Sequence, residues 1–329
     1  MHYQDQIYGK IEITEPVLVE ITNSPALQRL KGVEQGAFRK PFHPGISPNR
    51  FQHSVGVMLL LKKYGAAIDE QISGLIHDAS HSAFSHGIDY ILKQGTEKTQ
   101  NHQDSIFNNY IRKTDIPSIL SKYHFDLDHI LNDSHFPLKE NNIPDLCADR
   151  IDYALRDGIA YEEYDFSIQE AQNLLTHLTV KDNQWIFSQY THAATFAKLF
   201  YELNKGYWAD MGSGVMFQTV GDYIAHAITM GYIVEQDLYT TDQIVLNKIA
   251  PFLSNDTKAQ SFWDRMNNKI KYKNSPSDFD AHVFVKSRAV DPLCYHEEKI
   301  KRVSDINPQW KKIVKEELKP KEYFIKFEK

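Results

Sequence analysis

Four histidine and aspartate residues that could bind one metal ion occur at three places in the first half of the sequence. His53 stands alone, His77 and Asp78 are adjacent and follow an apolar run, and Asp149 comes much later. Apolar neighbours indicate that these imidazoles and carboxylates are desolvated on folding, so each of them needs a partner. A cation is the simplest partner that all four could share.

Two imidazoles and two carboxylates provide mixed nitrogen and oxygen ligands and leave positions for water or substrate. This set suits Mn²⁺, Fe²⁺, Zn²⁺, Ni²⁺ or Mg²⁺ better than an ion that prefers thiolates. Such a metal would act as a Lewis acid and as a source of hydroxide. Spacing alone leaves a second interpretation open, in which His53 is a hydrogen-bonded core histidine and the adjacent His-Asp pair is a chance match.

Helical periodicity dominates the segments that must position these residues. Residues 54–64 and 67–79 carry apolar side chains at helical spacing and predict two buried helices. Two short helices are predicted near the N-terminus, and further helical segments are predicted at residues 104–122, 144–157, 168–178 and 193–231. The first 240 residues are therefore expected to be mainly α-helical.

Strand patterns appear at one internal site and near the end of the chain. A β-hairpin is predicted near residues 179–188, and residues 282–290 and 323–327 alternate like strands. A helix is predicted between the last two, at residues 308–318. Polar and turn-forming residues at 270–280 mark a boundary.

This pattern predicts a mainly α-helical fold in two parts. We expect a helical domain over residues 1–270 and a small α/β extension packed on it over residues 271–329.

Composition limits the classes of partner. The chain has 329 residues, of which 42% are hydrophobic, and a formal net charge of −6. This charge argues against nucleic acid as the main ligand but not against a small anion, which needs only local positive charge. Two distant cysteines make a disulfide framework or a zinc ribbon unlikely, and no segment approaches the roughly 18 to 20 apolar residues of a membrane span. A soluble cytoplasmic protein is expected.

Longer segments around the ligand candidates resemble one superfamily. Residues 49–57, 76–78 and 149–153 match the H…HD…D signature of the HD-domain phosphohydrolases. The match extends to the dNTP triphosphohydrolase branch, which includes the sterile-alpha-motif HD enzyme of animals and bacterial dNTP/dGTP triphosphohydrolases. The other segments that carry this similarity are residues 5–9, 28–31, 81–86, 156–157 and 288–292.

The resemblance implies an HD-domain helical bundle with defined catalytic positions. It makes His53, His77, Asp78 and Asp149 the ligands of a divalent metal ion, and we expect one ion per chain rather than two. It places His81 and His102 near the scissile phosphate and the leaving group, and Asp89 beside the catalytic water. His86 matches a position that either orients a ligand or Asp89, or takes part in catalysis directly.

The same resemblance implies a substrate-binding set. Gln35, Tyr153 and Asp157 match contacts to the sugar, Arg50 matches a phosphate contact, and Arg150 stands where the family has a phosphate-binding lysine. Helical spacing puts Asp149, Tyr153, Arg156 and Asp157 on one side of a helix. For Arg156 we favour an ion pair over a ligand contact.

The sequence departs from the triphosphohydrolase pattern at residues 200–210. Leu203 and Tyr207 stand where an ungapped comparison expects an arginine and a histidine, and Gln103 stands where a glutamate is common. Charge-assisted contacts contribute about 1.5 to 3 kcal/mol each, so their loss should weaken triphosphate binding. Lys198 and Lys205 are candidates to compensate.

We therefore expect a metal-dependent phosphohydrolase of nucleotides, with dNTP triphosphohydrolysis as the leading hypothesis. A nucleoside monophosphate phosphatase, or another small phosphate-ester hydrolase, is the alternative. A nucleotide-binding sensor with a retained HD site is an alternative from another class. A di-iron oxygen-using enzyme would need His81 and His102 to bind a second metal. The resemblance also implies a homo-oligomer.

Overall fold

The computed structural model describes residues 1–45, 47–91, 98–161 and 165–328. Helices form most of the regular structure, as predicted. Helices α1 to α15 are Pro16–Thr22, Pro25–Gln28, Arg50–Lys63, Ile68–Ile76, His102–Ile111, Ile116–Lys122, Leu127–Ile130, Ala148–Ala160, Ile168–Thr176, Tyr190–Leu203, Met211–Thr229, Asp242–Ile249, Thr257–Met266, Val303–Ile306 and Pro308–Glu317. Strands β1 to β9 are His2–Asp5, Gly9–Glu12, Leu178–Lys181, Gln184–Phe187, Tyr272–Asn274, Ala281–Val285, Leu293–His296, Lys299–Arg302 and Lys321–Phe327.

Helix α3 begins earlier than the apolar pattern predicted. The Asn49 side chain accepts a hydrogen bond from the Gln52 backbone N–H (2.9 Å), and the Gln52 side chain accepts one from the Asn49 N–H (3.1 Å). This reciprocal capping satisfies two backbone donors that the first turn leaves without helical partners. It starts the helix at Arg50, so that Arg50 and His53 lie three residues apart on one face.

Helix α4 ends just before the histidine-aspartate pair. Its last residue is Ile76, and residues 77–80 form turns instead of continuing the predicted helix to residue 79. His77, Asp78 and His81 therefore come from a tight irregular segment. Helix α3 packs against both α4 and α8, which brings the three sequence-distant ligand candidates to one place.

The predicted hairpin at residues 179–188 is present as β3 and β4, joined by Asp182 and Asn183 with positive φ. It is extended by β7 and β8 into a four-stranded sheet, in which β4 and β7 run parallel. A second sheet has the order β5-β9-β6, and β1 and β2 form an N-terminal hairpin that the sequence did not predict. The mainly α-helical fold with a small C-terminal α/β part is confirmed.

The C-terminal residues share cores with the helical residues. Ala289, Val290 and Trp310 are buried in one hydrophobic cluster with side chains of α3, α8 and α10. Val285 and Ile325 are buried in another with α11. The proposed division at residue 270 stays a prediction. No helix in the described part of the chain is long and apolar enough to cross a membrane.

Asp242, the first residue of α12, links two loops that lead into the site. Its carboxylate accepts hydrogen bonds from the backbone N–H groups of Glu34 (2.8 Å) and Phe84 (2.7 Å). Gln35 and Ser85 are the next residues along the chain, so this one side chain restrains the start of both site segments. Burial raises the pKa of Asp242 to about 7.

A raised pKa at Asp242 predicts a pH-dependent stability. The folded state binds more protons than the unfolded state between pH of about 4 and 7, so this contribution is present at low pH and is lost as pH rises through that window. We expect the unfolding free energy of the wild type, relative to Asp242→Asn, to fall by up to about 1.4 kcal/mol per pH unit there. Urea unfolding across this range measures the difference, and a pH-independent difference would contradict the prediction.

Candidate metal centre and active site

Four side chains from three parts of the chain converge at one point. His53 Nε2 lies 2.8 Å from Asp149 Oδ1 and 3.2 Å from His77 Nε2. His77 Nε2 lies 3.5 Å from an oxygen of each carboxylate, and His53 Nε2 lies 3.7 Å from Asp78 Oδ2. The structure thus brings together all four residues that the sequence predicted as ligands: His53, His77, Asp78 and Asp149.

The spacing of these atoms fits a single divalent cation. Nitrogen and oxygen ligands bound at about 2.0 to 2.2 Å from one ion lie about 3 to 3.5 Å from each other, by the geometry of tetrahedral or octahedral coordination. The observed separations of 2.8 to 3.7 Å fall close to that range. The mixed donor set matches the ions named above rather than thiolate-preferring ones.

Both histidines are oriented by hydrogen bonds at Nδ1. His53 Nδ1 lies 2.8 Å from Asp152 Oδ2, and His77 Nδ1 lies 2.7 Å from the Gly74 carbonyl oxygen. Each partner is an acceptor, so each Nδ1 carries a proton and each Nε2 points to the centre. This is the arrangement by which outer partners fix the tautomer of a metal-binding histidine.

The histidines and aspartates of the centre stabilise each other's charged forms because they lie close together away from solvent. Burial favours the neutral imidazole of His53, but its hydrogen bonds to Asp149 and Asp152 outweigh this and raise its pKa to about 10. The pKa of Asp149 is held well below its usual value, despite burial, by His53 and His77. A cation at the centre would take the place of the His53 Nε2 proton.

Asp152 is a functional residue that sequence reasoning missed. It is fully buried and bonds His53, the Tyr8 hydroxyl (2.9 Å) and Arg156 Nε (2.7 Å), while Arg156 Nη2 pairs with Asp5 (2.9 Å). The ion pair favoured for Arg156 is confirmed, but Arg156 lies on the Asp152 side of α8 and not on the ligand side. The spacing of Asp152 and Arg156, four residues apart on one helix, was the available signal.

Close packing leaves no room for a side chain on α3 opposite the Asp152–Arg156 ion pair. A Cβ atom at Gly56 of α3 would lie 2.0 Å from Arg156 Nη2 and 2.2 Å from Asp152 Oδ1. The glycine in the segment that follows His53 therefore allows α3 and α8 to approach closely enough for His53 to bond Asp152.

Arg50 holds Asp78 from the other side. Its guanidinium donates to Asp78 Oδ2 (2.8 Å), to Ser85 Oγ (3.0 Å) and to the Gln35 carbonyl oxygen (2.9 Å). These bonds join the start of α3 to both loops that Asp242 restrains. Against the cost of burial, Arg50 is the largest influence that keeps the pKa of Asp78 well below its usual value.

Among the predicted catalytic residues, only His81 lies on the wall of the site cavity, together with the predicted support residue His86. His81 Nε2 is 3.3 Å from Asp78 Oδ1, and its ring meets the His86 ring edge to face at 5.2 Å. Burial, followed by the Arg50 charge, lowers the pKa of His81 to about 3. Burial also lowers the pKa of His86 to about 4. Both are neutral imidazoles at neutral pH.

The resemblance placed Asp89 beside the catalytic water and His102 near the scissile phosphate and the leaving group, and neither is among the described residues that line the cavity. The buried Asp89 carboxylate is 3.3 Å from His86 Nδ1 and accepts a hydrogen bond from the His102 backbone N–H (3.1 Å). His102 Nε2 lies 3.5 Å from the Tyr239 hydroxyl. His102 is the first residue of α5, and this position turns its side chain towards Tyr239. The roles that the resemblance implies for both residues stay predictions.

A cavity of about 1070 Å³ opens from the metal centre. Of the described residues that line it, seven are acidic and seven are basic, so a divalent cation would make the lining net positive. The basic residues are Arg39, Arg50, Arg112, Lys139, Arg150, Lys286 and Arg288, and the acidic ones are Asp78, Asp104, Asp128, Asp133, Glu140, Asp149 and Asp157. This balance differs from the net charge of −6 of the whole chain and suits an anionic ligand.

All predicted substrate-binding residues line this cavity: Gln35, Arg50, Arg150, Tyr153 and Asp157. The Gln35 side-chain oxygen is buried there and has no hydrogen-bond partner among the described residues. Asp157 Oδ2 accepts a hydrogen bond from Trp208 Nε1 (2.7 Å), and burial raises the pKa of Asp157. Tyr153 packs edge to face on Trp208 at 5.1 Å.

Arg150 occupies what could otherwise be a second cation site. Glu140, Cys147 and Asp149 lie close enough together to share an ion. However, Arg150 Nη2 is 3.0 Å from Glu140 Oε1, and its Nη1 is 3.0 Å from Cys147 Sγ. A second cation there would meet the guanidinium, so this cluster does not provide a second metal site.

Leu203 and Tyr207, at which the sequence departs from the triphosphohydrolase pattern, belong to the core. Leu203 is fully buried, and the Tyr207 ring stacks on Tyr161 at 3.9 Å. Lys198 and Lys205 do not line the described cavity, so they do not replace the missing contacts. Lys286 and Arg288 line it instead, and sequence reasoning did not single them out as site residues.

Comparison with known proteins identifies the family. The HD domain family model matches residues 50–157, the span from Arg50 to Asp157. The uncharacterized protein YdhJ of Bacillus subtilis is 32% identical over 314 residues, which cover 95% of this chain and 94% of YdhJ. The metal-dependent phosphohydrolase cns2 of Cordyceps militaris is 31% identical over 244 residues, which cover 72% of this chain and 69% of cns2. This chain is an HD-domain metal-dependent phosphohydrolase.

More distant similarity connects this HD phosphohydrolase with a named activity and with a known fold. Human deoxynucleoside triphosphate triphosphohydrolase SAMHD1 is 34% identical over 139 residues, which cover 36% of this chain and 22% of SAMHD1. A crystal structure of a phosphohydrolase from Bacteroides thetaiotaomicron superposes over the whole of both chains with a TM-score of 0.71 at 14% identity. The second similarity concerns the fold alone.

The network behind the centre predicts a large stability effect for Arg156→Met. Removing Arg156 leaves Asp5 without its cationic partner and Asp152 with one partner fewer, in a buried site. We expect a loss of about 3 to 5 kcal/mol in unfolding free energy. The control Lys122→Met breaks a partly exposed pair with Glu20 and should cost at most about 1 kcal/mol. Equal losses in urea unfolding would refute this reading.

Metal binding should depend on the four ligands and on Asp152. We expect the HD phosphohydrolase to retain about one divalent ion per chain, Asp149→Ala to abolish retention, and Asp152→Asn to lower affinity about 10- to 100-fold. His86→Gln should retain the ion, because His86 lies beside His81 and outside the ligand cluster. Elemental analysis and competition with a chelator measure these outcomes. Unchanged metal content in Asp149→Ala would contradict the assignment.

Proposed function

We propose that this HD phosphohydrolase hydrolyses the ester bond between the sugar and the first phosphate of a deoxynucleoside triphosphate, releasing deoxynucleoside and tripolyphosphate. The observation that carries the proposal is the ligand cluster at the floor of a cavity whose basic residues balance its acidic ones even without a cation. The cavity volume of about 1070 Å³ is at the upper end of the range for small-molecule sites and accommodates a nucleotide.

Similarity to the triphosphohydrolase branch supports the choice of substrate. The match to SAMHD1, named for deoxynucleoside triphosphate triphosphohydrolysis, is restricted to a segment that covers 36% of this chain. This similarity and the motif residues that resemble the triphosphohydrolase branch favour a deoxynucleotide as substrate. The similarity to the metal-dependent phosphohydrolase cns2 supports the broader assignment of a phosphate ester as substrate.

We assign the metal to His53, His77, Asp78 and Asp149. A divalent cation held by these residues would supply Lewis-acid catalysis at the phosphate. The role of Arg50 is to bind a phosphate oxygen while keeping Asp78 ionised and oriented. Asp152 and the Gly74 carbonyl hold the two imidazoles in the tautomer that presents Nε2 to the centre.

His81 is the proposed catalytic imidazole. It is neutral, it lies on the cavity wall, and its Nε2 is 3.3 Å from Asp78 Oδ1. A neutral imidazole can donate one hydrogen bond to a phosphoryl or leaving oxygen without adding charge. His86 lies beside it on the cavity wall, and Asp89 restrains both the His86 ring and the start of α5 at His102.

The sugar would occupy the part of the cavity lined by Gln35, Tyr153 and Asp157. Gln35 offers a buried carbonyl oxygen that lacks a partner among the described residues, which a sugar hydroxyl could satisfy. Tyr153 offers an aromatic surface beside the centre, with its ring 6.3 Å from the His53 ring. Asp157 lines this part of the cavity, and one of its carboxylate oxygens accepts a hydrogen bond from Trp208.

A nucleoside monophosphate phosphatase is the second candidate. It is favoured by the burial of Leu203 and Tyr207, because α10 and the turn that follows it supply no cation to the cavity. Both candidates cleave the same sugar-phosphate bond and release the same nucleoside. They differ only in whether the site accommodates phosphates beyond the first.

A nucleotide panel with product analysis tests the proposal. The metal-loaded protein should convert deoxynucleoside triphosphates to deoxynucleosides and tripolyphosphate. Orthophosphate from a monophosphate, with no reaction of triphosphates, would support the second candidate instead. Nucleotide binding without turnover under any of the candidate metals would replace both with a sensor function. Elemental analysis of the same sample tests the prediction of one ion, and light scattering tests the predicted homo-oligomer.

Substitution of His81 tests whether this residue takes part in catalysis. We expect His81→Gln to lower kcat about 10²- to 10³-fold, since loss of one positioned donor to an oxygen that gains charge in the reaction costs about that much. The matched control His282→Gln alters an exposed histidine that pairs with Glu322 and should leave kcat unchanged. Equal activity of the two variants, each with full metal content, would remove His81 from the catalytic set.

A further inference from the structure

Two cations enter the cavity from the C-terminal part of the chain. Lys286 and Arg288 directly follow β6 and line the same cavity as the metal ligands, more than 120 positions away from Asp149 in sequence. Arg288 Nη2 donates to Gln100 Oε1 (3.0 Å), and its Nη1 lies 3.4 Å from the Lys286 carbonyl oxygen. Both partners of Arg288 are neutral.

Neither cation has a carboxylate partner in the described part of the chain. No Asp or Glu oxygen there lies within the 4.0 Å ion-pair distance of Lys286 Nζ or of the Arg288 guanidinium. This differs from the nearby Arg150, which pairs with Glu140. A partly buried cation without a paired anion is costly unless something else compensates its charge.

The fold holds these two residues in place. Buried Asn204, in the turn after α10, accepts a hydrogen bond from the Arg288 backbone N–H (2.8 Å) and donates to Ser287 Oγ (2.9 Å) and Glu317 Oε2 (3.0 Å). The segment is therefore fixed to the helical bundle at the point where the family pattern expected cationic side chains. Preorganised donors of this kind bind anions with little loss of conformational entropy.

The carboxylates near Lys286 and Arg288 offset the positive charge of these two residues only in part. Burial, followed by the Arg288 charge, lowers the pKa of Lys286 to about 8, although Asp104 and Glu140 act in the opposite direction. Arg150 adds a third positive charge on the same wall. An anion bound there would relieve the repulsion among these cations.

We infer that Lys286 and Arg288 bind the phosphates of the substrate that lie beyond the phosphate at the metal centre. This inference rests on the proposed function and sharpens it, since it assigns to the C-terminal segment the contacts that Leu203 and Tyr207 do not make. The ligand class is a nucleotide with a chain of two or more phosphates. A monophosphate would occupy the metal centre and leave these two cations without a partner.

The test compares Lys286→Met and Arg288→Gln with the control Lys205→Met. Lys205 is an exposed lysine outside the described cavity lining. For each cation variant, kcat/KM for a deoxynucleoside triphosphate should fall roughly 10- to 100-fold, as expected for a lost charge-assisted contact, while the value for a monophosphate changes less than about threefold. Lys205→Met should leave both values unchanged. Metal content and thermal unfolding establish that each variant is folded.

Binding of inorganic tripolyphosphate, measured by calorimetry on the metal-loaded protein, separates this inference from the proposed function. We expect each cation variant to weaken that binding at least about tenfold relative to Lys205→Met. If nucleotides are not hydrolysed but this loss is seen, the proposed function fails and the polyphosphate site stands. If tripolyphosphate binds equally to all variants, or if mono- and triphosphate activities fall together, the inference is wrong.

Discussion

Burial of negative charge is the constraint on which this structure depends. Asp78 and Asp152 are buried and Asp149 is partly buried, close together between α3, α8 and the turn after α4, and carboxylates in such a setting must be paired. Each pairing uses a different part of the chain. Arg50 holds Asp78, the two histidines hold Asp149, and His53 and Arg156 hold Asp152. The metal ligands are positioned because the structure must satisfy these charges.

The supporting network is divided into two sides with distinct roles. On one side, Asp152, Arg156 and Asp5 form a closed buried set behind His53. On the other, Arg50, Ser85 and the Gln35 carbonyl connect the centre to the loops that Asp242 restrains. The first side is inaccessible to a ligand and gives rigidity. The second borders the cavity, so the same residues can both orient a metal ligand and bind substrate.

The cavity takes part of its positive charge from the C-terminal part of the chain, through Lys286 and Arg288. Leu203 of α10 and Tyr207 of the turn after it are buried, and neither element places a cation on the described cavity lining. The turn after α10 retains a different function, because Asn204 anchors the segment that carries Lys286 and Arg288. The C-terminal part is thus joined to the site through one buried amide as well as through shared hydrophobic cores.

The sequence by itself determined the helical character, the hairpin at residues 179–188 and the four ligand candidates, because apolar periodicity and the HD motif are local patterns. The predicted start of α3 was too late in the sequence, because the spacing of apolar residues contains no information about the Asn49 cap. Only the tertiary structure decided that Asp152 supports His53, that Arg156 turns away from the ligand side, and that the His102 side chain lies beside Tyr239. These outcomes depend on how α3, α8 and α5 face each other. The positions of Lys286 and Arg288 likewise follow from packing between segments far apart in the chain, which no short pattern of residues reveals.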